Sequence, residues 1–261
     1  MNQPLSYVHS DAKIARNVVI EPFVTINKDV IIGEGTWIGS NVTIMEGARI
    51  GENCKIFPGA VISAVPQDLK FQGEYTTVEI GANTTIRECV TINRATKARY
   101  KTVIGSNCLI MAYVHVAHDC VIGNNVILAN AVQLAGEVEV DDFAIISGGS
   151  LVHQFVRIGA HVMIAGGSQV GKDVPPYVKA GRNPLSFAGI NSIGLRRRDF
   201  SNAKINEIQE IYRILFNNKM NTTQAIDYIE TEVPAAQERD EIILFVRNSK
   251  RGIIRSTLDK N

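Results

Sequence analysis

The sequence is short of the features that mark several common protein classes. Its four cysteines, Cys54, Cys89, Cys108 and Cys120, form no CxxC pair and are interpreted as reduced packing residues rather than metal ligands or disulfides. No window approaches the roughly 18 apolar residues of a membrane span, and the first residues show no basic stretch followed by an apolar core, so no secretion signal is expected. With 27 basic against 26 acidic residues, neither sign is in excess, which disfavours nucleic-acid binding. A cytoplasmic globular protein is expected.

What the sequence does contain is a long internal repeat. In steps of six residues from Val8 to Val170, 25 of 28 positions hold valine, isoleucine or leucine, the exceptions being Asp68, Glu74 and Ala98. This period fits neither an α-helix nor an alternating strand, but it is the hexapeptide period of a parallel β-helix. The residue four after each anchor is nearly always small or β-branched, as a narrow prism requires. The repeat therefore predicts an all-β solenoid.

Two stretches interrupt the repeat, residues 63–79 and 94–101, yet the anchors resume in phase at Ile80 and Ile104. Loops extruded from a stacked coil would interrupt it in this way. The first stretch combines proline, glycine, charges and amides, and long loops on rigid scaffolds commonly carry function. We therefore expect residues 63–79 to form a substrate loop.

The composition changes after the last hexad, and residues 191–261 are predicted to form a small α-helical domain. Behind a Ser201 cap, apolar residues recur at helical spacing, and Thr222 or its neighbour begins a second helical pattern. Residues 241–247 are typical of part of a third helix. The predicted organisation is a β-helix over residues 1–190 followed by this helical domain.

Motifs outside the hydrophobic anchors are more specific than the hexads, which many acyl- and nucleotidyl-sugar enzymes share. Their order and spacing resemble those of the UDP-N-acetylglucosamine 3-O-acyltransferases of lipid A synthesis, over almost the whole chain. The motifs are QDLK at residues 67–70, HVAHDCVIG at 115–123, VHQF at 152–155, DVPPYV at 173–178 and GLRRR at 194–198.

The resemblance implies a fold, a reaction and partners. The fold is a left-handed parallel β-helix, assembled as a homotrimer with active sites between subunits. The reaction is the transfer of a 3-hydroxyacyl chain from acyl carrier protein to the 3-hydroxyl of UDP-N-acetylglucosamine, the first step of lipid A biosynthesis. No cofactor and no metal are expected.

The chemistry of acyl transfer can be matched to particular residues. Attack of a hydroxyl on a thioester needs a general base and a pocket for the oxyanion. His118 is the best candidate among the five histidines, because Asp119 follows it and could orient the imidazole as the carboxylate of a triad does. For an arbitrary pair, a polar His-Asp dipeptide at a corner is the simpler interpretation. The family motif favours catalysis here.

Stacking of the coils gives this base a predicted neighbour. If three hexads make one coil, residues three hexads apart lie above one another, at a spacing of about 4.8 Å. Gly136 follows His118 by three hexads, and the resemblance implies that its N–H binds the oxyanion. A glycine that only eases a tight turn is the alternative.

The resemblance also assigns substrate-binding residues. Asp68 and Lys70 would bind the sugar, and His115 would assist near the base. The nucleotide and its phosphates would be contacted by His153, Gln154, Asn191, Arg197 and Arg198. Arginine suits phosphate because its planar fork bonds two oxygens, although a basic run is more often a solvated surface.

Two glycine pairs suggest a groove for the acyl chain. Gly148 and Gly149 precede Gly166 and Gly167 by three hexads, so the pairs should stack and leave a strip of wall without side chains. In the resembling family the position of Gly166 limits chain length, whereas glycines that ease corners are the alternative. We expect a preference for chains of about fourteen carbons or more, with about 0.8 kcal/mol from each buried methylene.

Three positions that concern the acceptor sugar and nucleotide depart from the family pattern. Glu137 stands where histidine is common, Asn93 where histidine is expected, and Ile193 where an acid is common. A sugar with an amine at the reacting carbon is therefore an open alternative acceptor.

The C-terminal region also suggests a docking surface. Residues 196–261 hold 12 basic and 10 acidic side chains, with Lys250, Arg251 and Arg255 clustered. Acyl carrier protein is acidic as a class, so we expect it to dock here. A solvated helical surface is the alternative.

Three rival functions fit the residues less well. The N-acyltransferase of the same pathway carries an extra uridine-binding domain before its β-helix, whereas these hexads begin at Val8. A β-helical carbonic anhydrase needs three histidine ligands for zinc, and no histidine lies between His9 and His115. A non-catalytic scaffold has no reason to place a His-Asp pair beneath a glycine. The residues favour an acyltransferase.

Overall fold

The protein is built around a left-handed parallel β-helix, which confirms the predicted fold class. The computed structural model describes residues 5–217 and 220–256; the outer ends of the two predicted domains lie outside these ranges. Until the last coil, each strand pairs with the strand three further along the chain, so three sheets form the faces of a prism.

The strands are short, and most contain two residues. Sheet 1 contains β1 (Tyr7–Val8), β4 (Thr25–Ile26), β7 (Thr43–Ile44), β10 (Val61–Ala64), β13 (Thr91–Asn93), β16 (His115–Val116), β19 (Gln133–Leu134), β22 (Leu151–Val152) and β25 (Gln169–Val170). Sheet 2 contains β2 (Lys13–Ile14), β5 (Ile31–Ile32), β8 (Ala48–Ile50), β11 (Thr77–Ile80), β14 (Lys101–Ile104), β17 (Val121–Ile122), β20 (Glu139–Val140) and β23 (Arg157–Ile158). Sheet 3 contains β3 (Val19–Ile20), β6 (Trp37–Ile38), β9 (Lys55–Ile56), β12 (Thr85–Ile86), β15 (Leu109–Ile110), β18 (Ile127–Leu128), β21 (Ile145–Ile146), β24 (Met163–Ile164), β26 (Val178–Gly181), β27 (Ser186–Ile190) and β28 (Arg255–Ser256).

The hexad anchors fill the inside of the prism. Ile44, Ile62 and Ile92, stacked in sheet 1, have no exposed surface. Burial of one such side chain contributes roughly 1.5–3 kcal/mol, so the stacked column is the main source of stability. Three cysteines share this interior, as predicted. Cys89 does not: it is exposed at a corner, and its interpretation as a packing residue was wrong.

Three corners connect the sheets, and most coils turn there through a residue with left-handed φ. The first corner joins sheets 1 and 2 and includes Asp119 (φ 61°) and Glu137 (φ 61°). The second joins sheets 2 and 3 and includes His161 (φ 58°). The third joins sheets 3 and 1 and includes Gly149 (φ 68°) and Gly167 (φ 67°), where glycine meets no steric cost.

The two interruptions of the repeat leave the coil without breaking its register. Elsewhere one coil is three hexads long, as in the pairing of His115 with Gln133. Ile50 instead pairs with Ile80, five hexads further on, and Ile80 pairs with Ile104, four hexads further on. The extra chain lies between β10 and β11, at residues 65–76, and between β13 and β14, at residues 94–100.

Helices follow the last coil. They are α1 (Ser192–Arg196), α2 (Asn202–Asn217), α3 (Thr222–Glu232) and α4 (Gln237–Arg247). Helix α2 begins behind Ser201, whose Oγ accepts from the N–H of Lys204 at 3.2 Å, as predicted. Helix α1, a single turn capped by Asn191, was not predicted from the sequence. None of these four helices of the described chain has the length and apolar character that a bilayer span requires.

The helices pack on the top of the coil. Tyr212 of α2 is fully buried, and its hydroxyl donates to the carbonyl of Pro176. It stacks with Phe187 of β27 at 5.6 Å between ring centroids. The hydroxyl of Tyr177 donates to the carboxylate of Glu241 on α4. These contacts fix the helices against the last coils.

Candidate active site

The first corner carries a His-Asp pair with close geometry. His118 follows β16 and Asp119 occupies the left-handed corner position. The Nδ1 of His118 lies 2.8 Å from Oδ2 of Asp119. A carboxylate can only accept here, so Nδ1 carries the proton and Nε2 is left with a lone pair. The pair therefore presents Nε2 as a proton acceptor.

The buried carboxylate of Asp119 accepts hydrogen bonds from two residues outside the repeat. Its side chain has no exposed surface. The hydroxyl of Thr96 donates to Oδ2 at 2.8 Å, and the N–H groups of Thr96 and Arg99 donate to the carboxylate at 2.9–3.2 Å. These donors fix the plane of the carboxylate, which in turn fixes the His118 ring.

Residues 65–76 bring a second carboxylate to the other side of the ring. Oδ2 of Asp68 lies 3.9 Å from Nε2 of His118. The N–H of Lys70 donates to Oδ1 of Asp68 at 2.9 Å, and the Lys70 side chain is exposed. The structure thus places Asp68 beside the candidate base, and Lys70 next to Asp68.

Gly136 lies one coil above His118, as the stacking rule predicts. The N–H of Glu137 donates to the carbonyl of His118 at 3.0 Å, which ties the two corners together. The Gly136 N–H has no hydrogen-bond acceptor within the described chain. An unpaired donor beside the ring is available for an oxyanion.

His115 lies on the outer face of sheet 1, close to His118. Its Nδ1 is 2.7 Å from the hydroxyl of Thr91 on the neighbouring strand. Burial, together with the nearby His118, lowers the pKa of His115, so this ring stays neutral at physiological pH. A neutral imidazole in this place can form a hydrogen bond with a sugar hydroxyl, because one of its nitrogens donates and the other accepts.

His153 and Gln154 lie one coil above Gly136. The N–H of Phe155 donates to the carbonyl of Gly136 at 3.2 Å. The His153 ring is exposed, with Nδ1 3.1 Å from the carbonyl of Gln154, and the Gln154 side chain is half-buried. Both residues therefore continue the wall that starts at His118.

Asn191 and Arg198 lie at the second corner, away from the His-Asp pair. The Asn191 amide donates to the carbonyl of His161 at 2.9 Å and its Oδ1 accepts from Gly194. Arg198 donates to the carbonyl of Phe143 at 3.1 Å. Arg197 is exposed on the C-terminal side of α1. Within one chain, none of the three has a hydrogen bond to the first corner.

The glycine pairs lie at the third corner. Gly166 stacks above Gly148, and a β-carbon on Gly166 would stand 3.3 Å from the Gly148 carbonyl oxygen. Gly149 and Gly167 would have nothing within 4 Å of such a carbon. This corner therefore has the bare wall expected of a groove.

The three departures from the family pattern have different surroundings. Asn93 is buried and its amide donates to the Val65 carbonyl at 2.8 Å, so it fixes the start of the 65–76 segment. Ile193 is exposed on α1. Glu137 is half-buried next to Gly136.

No group of three potential metal ligands occurs in residues 5–217 and 220–256.

Several residues that hold the pair in place were not predicted from the sequence. Thr96 and Arg99 precede Asp119 by more than one coil in a segment outside the repeat, so the stacking rule could not assign them. Thr102, whose Oγ1 accepts from the Asp119 N–H at 2.9 Å, was also missed. A Thr directly after a break in the hexads is the only signal that could have suggested this role.

Comparisons with known proteins cover most of the chain. The family described as "Udp N-acetylglucosamine O-acyltransferase; Domain 2" matches residues 173–254, and the bacterial transferase hexapeptide family matches 29–64 and 101–136. An acyl-(acyl-carrier-protein)–UDP-N-acetylglucosamine O-acyltransferase of Thermodesulfovibrio yellowstonii is 49% identical over 94% of this chain and 95% of its own. One from a Sulfurihydrogenibium species is 56% identical over 96% and 93%. A solved UDP-N-acetylglucosamine acyltransferase of Bacteroides fragilis aligns with a TM-score of 0.96 at 54% identity, covering 98% of this chain and 100% of that one.

Proposed function

The chain belongs to the UDP-N-acetylglucosamine O-acyltransferase family, and we propose that it transfers a 3-hydroxyacyl chain from acyl carrier protein to the 3-hydroxyl of UDP-N-acetylglucosamine. The family relationship inferred from the motifs is thereby confirmed. The reaction is the first step of lipid A biosynthesis. The observation that carries the proposal is the His118–Asp119 pair, with its carboxylate fully buried, beneath the unpaired N–H of Gly136.

His118 acts as the general base. Its Nε2 removes the proton of the sugar 3-hydroxyl as the oxygen attacks the thioester carbonyl carbon. Asp119 keeps the proton of the imidazole on Nδ1 and stabilises the imidazolium that forms. The N–H of Gly136 donates to the oxyanion of the tetrahedral intermediate. When the intermediate collapses, the carbon–sulfur bond breaks and the imidazolium returns its proton to the leaving thiolate.

The sugar binds beside the base. Asp68 and Lys70 come from the segment that covers this wall, and His115 contributes a neutral ring. His153 and Gln154 extend the wall toward the nucleotide. Asn191, Arg197 and Arg198 complete the nucleotide and phosphate contacts from the second corner.

A homotrimer accounts for the distribution of these residues over three corners. The base lies at the first corner, the arginines at the second and the glycine pairs at the third, and one copy cannot bring them together. The outer face of sheet 3 supports assembly because Leu109, Ile127 and Ile145 stack on it in register. Such a column of aliphatic side chains fits contact with another copy better than contact with water. Active sites between subunits follow.

The carrier protein docks near the end of the chain. Lys250 and Arg255 are exposed, and the Arg251 guanidinium donates to the Gly171 carbonyl at 3.2–3.3 Å. Their positive charges attract the acidic surface of the carrier protein. The cytoplasmic location stays a prediction.

The reaction is tested by incubating the purified protein with UDP-N-acetylglucosamine and 3-hydroxyacyl carrier proteins. Mass analysis should find an acylated nucleotide sugar whose ester is cleaved by mild base. Parallel incubation with the 3-amino sugar nucleotide tests the alternative acceptor, since an amide product resists that treatment. If neither acceptor is acylated, the proposal is contradicted. Zinc analysis of the same sample tests the carbonic anhydrase alternative, and light scattering tests for three times the 28.6 kDa chain mass.

A further inference from the structure

The two extruded segments contact each other as well as the site. Residues 63–64 and 77–79 of the predicted substrate loop belong to strands, so we use the name substrate loop for residues 65–76 and clamp loop for residues 94–100. The substrate loop carries Asp68, which faces Nε2 of His118 at 3.9 Å. The clamp loop carries Thr96 and Arg99, which bind Asp119. One of the two carboxylates beside the His118 ring therefore lies on chain outside the repeat, and the other is held by such chain.

Glu74 joins the two loops. Its Oε1 accepts from the N–H of Lys97 at 2.9 Å, and its Oε2 accepts from the N–H of Gln72 at 2.8 Å. These donors, Gln72 first, lower the pKa of the Glu74 carboxyl, so it is an anionic acceptor at neutral pH. One carboxylate thus ties the end of the substrate loop to the middle of the clamp loop.

A second contact supports the same junction. The Arg94 guanidinium lies 5.7 Å from the ring centroid of Phe71 and donates to the Glu46 carbonyl at 3.2 Å. Movement of the substrate loop away from the coil would break both this contact and that of Glu74. The clamp loop would then lose its outer support.

Thr96 connects the junction of the two loops to the His118–Asp119 pair. It is 6% exposed, and both its N–H and its hydroxyl bind the Asp119 carboxylate. The same hydroxyl oxygen accepts from the N–H of Ala98 at 3.2 Å, which folds the clamp loop around it. Glu74, Lys97, Thr96, Asp119 and His118 form a continuous series of contacts.

We propose that Thr96 and Glu74 are positioning residues: Thr96 sets the orientation of the Asp119 carboxylate, and Glu74 links that orientation to the substrate loop. This inference rests on the proposed function. Its consequence is that the sugar-binding loop and the base are aligned by one structure. Displacement of the loop weakens the base as well as sugar binding.

The first experiment measures the tautomer of the His118 ring in the absence of substrate. With ¹⁵N-labelled histidine, the ring should show the Nδ1–H tautomer in the wild-type protein, and a variant lacking His118 assigns its signal. Thr96→Val removes the hydroxyl donor and should give a mixture of tautomers. Thr96→Ser keeps the hydroxyl and should restore the wild-type signal. Thr25→Val on β4, several coils away, is the matched control and should change nothing.

The second experiment separates binding from turnover. Thr96→Val should lower kcat about ten- to hundredfold, since a hydrogen bond to a charged group is lost, with little change in the KM for the nucleotide sugar. Glu74→Gln should raise that KM and lower kcat together. Glu79→Gln, which removes an exposed carboxylate paired with Lys101 on the next strand, is the control.

The double variant tests whether Glu74 acts through Thr96. In the Thr96→Val background, Glu74→Gln should still raise KM but should lower kcat no further. Additive losses of kcat would overturn the link between the two residues. An unchanged tautomer in Thr96→Val, with wild-type kcat, would overturn the role of Thr96.

These results are distinguishable from failure of the proposed function. A wild-type protein that acylates neither acceptor contradicts the acyl transfer, whereas the tautomer of His118 still reports on Thr96. Active wild-type protein with additive variants contradicts only the positioning inference.

Discussion

Gly136 lies directly over the imidazole of His118: a β-carbon at this position would stand 2.5 Å from Cε1 and 2.6 Å from Nε2. No real β-carbon approaches this closely, so Gly136→Ala should displace the ring from its place over Asp119. We expect turnover to fall about a hundredfold or more, within the range for loss of one oxyanion donor or a misplaced base. Gly171→Ala is the control, because a β-carbon there meets nothing within 4 Å. Equal activity of the two variants would contradict the arrangement.

Removal of the base itself should have a larger effect on chemistry than on structure. His118→Ala should lose about two to four orders of magnitude in turnover, while the melting transition and the assembly state persist. The remaining rate reflects positioning and the Gly136 donor. His9→Ala, which removes a histidine from the first coils, should retain activity. Near-normal turnover of His118→Ala would refute its role as base.

Charge reversal at the end of the chain tests carrier docking. Replacing Lys250, Arg251 and Arg255 with glutamate should raise the KM for acyl carrier protein and weaken its dependence on salt. The matched control reverses Lys13, Arg16 and Lys28, which are exposed on the first coils. Since Arg251 also contacts the Gly171 carbonyl, melting curves must accompany the kinetics. An unchanged KM would return these residues to an ordinary solvated surface.

The glycine pairs at the third corner predict which lengths of acyl chain the protein prefers. The native protein should prefer 3-hydroxyacyl chains of about fourteen carbons or more, with about 0.8 kcal/mol at most from each further buried methylene. Gly166→Met fills the bare wall above Gly148 and should shift the preference to shorter chains. Competition between donors of different length measures both profiles, with Gly171→Met as control. Native preference for ten-carbon donors, or an unaltered profile in Gly166→Met, would show that this groove does not measure the chain.

His161 predicts a pH dependence of stability. Burial, then the Arg198 charge, lowers the pKa of His161 to about 4 from 6.5, against the opposing effect of Asp142. The unfolded chain therefore binds more protons between these values, and stability falls as the pH falls from about 6.5 toward 4. Allowing for its partial exposure, we expect a loss of about 1 kcal/mol near pH 5.

The substitution His161→Phe isolates this effect from other titrating groups. His161 stacks between Phe143 at 4.8 Å and Tyr177 at 5.5 Å, and Phe143 adopts the same left-handed conformation one coil below. His161→Phe should therefore keep the stack and lose part of the destabilisation at acid pH. Urea unfolding at neutral and acid pH measures the difference. The same pH dependence in both proteins would contradict the prediction.

The repeat made the coil and part of the site predictable from sequence. A period of six fixes which side chains point inward, and a coil of three hexads places Gly136 over His118 without further information. The same rule could not find Thr96, because its contact with Asp119 depends on how an extruded segment folds back. Cys89 was misjudged for a different reason: the number and spacing of the cysteines suggested packing, although Cys89 lies outside the column of small residues and is exposed at a corner with left-handed φ (55°).

The helical region was predictable where helices are amphipathic and not where one tertiary contact forms them. Helix α2 shows its apolar face in the sequence. Helix α1 is a single turn and depends on Asn191, whose amide is also bonded to the coil at His161. No periodicity can appear in so short an element, so its existence and the exposed position of Ile193 emerged only from the structure.

The two enlarged coils, of five and four hexads in place of three, have a consequence for how this architecture acquires new specificity. Because the ladder resumes in register after each excursion, chain can be added at a corner without redesign of the hydrophobic interior. The entropy of closing a loop rises only slowly with its length. Recognition of the acceptor and support of the catalytic carboxylate can therefore diverge by exchange of segments, while the prism that holds them is inherited unchanged.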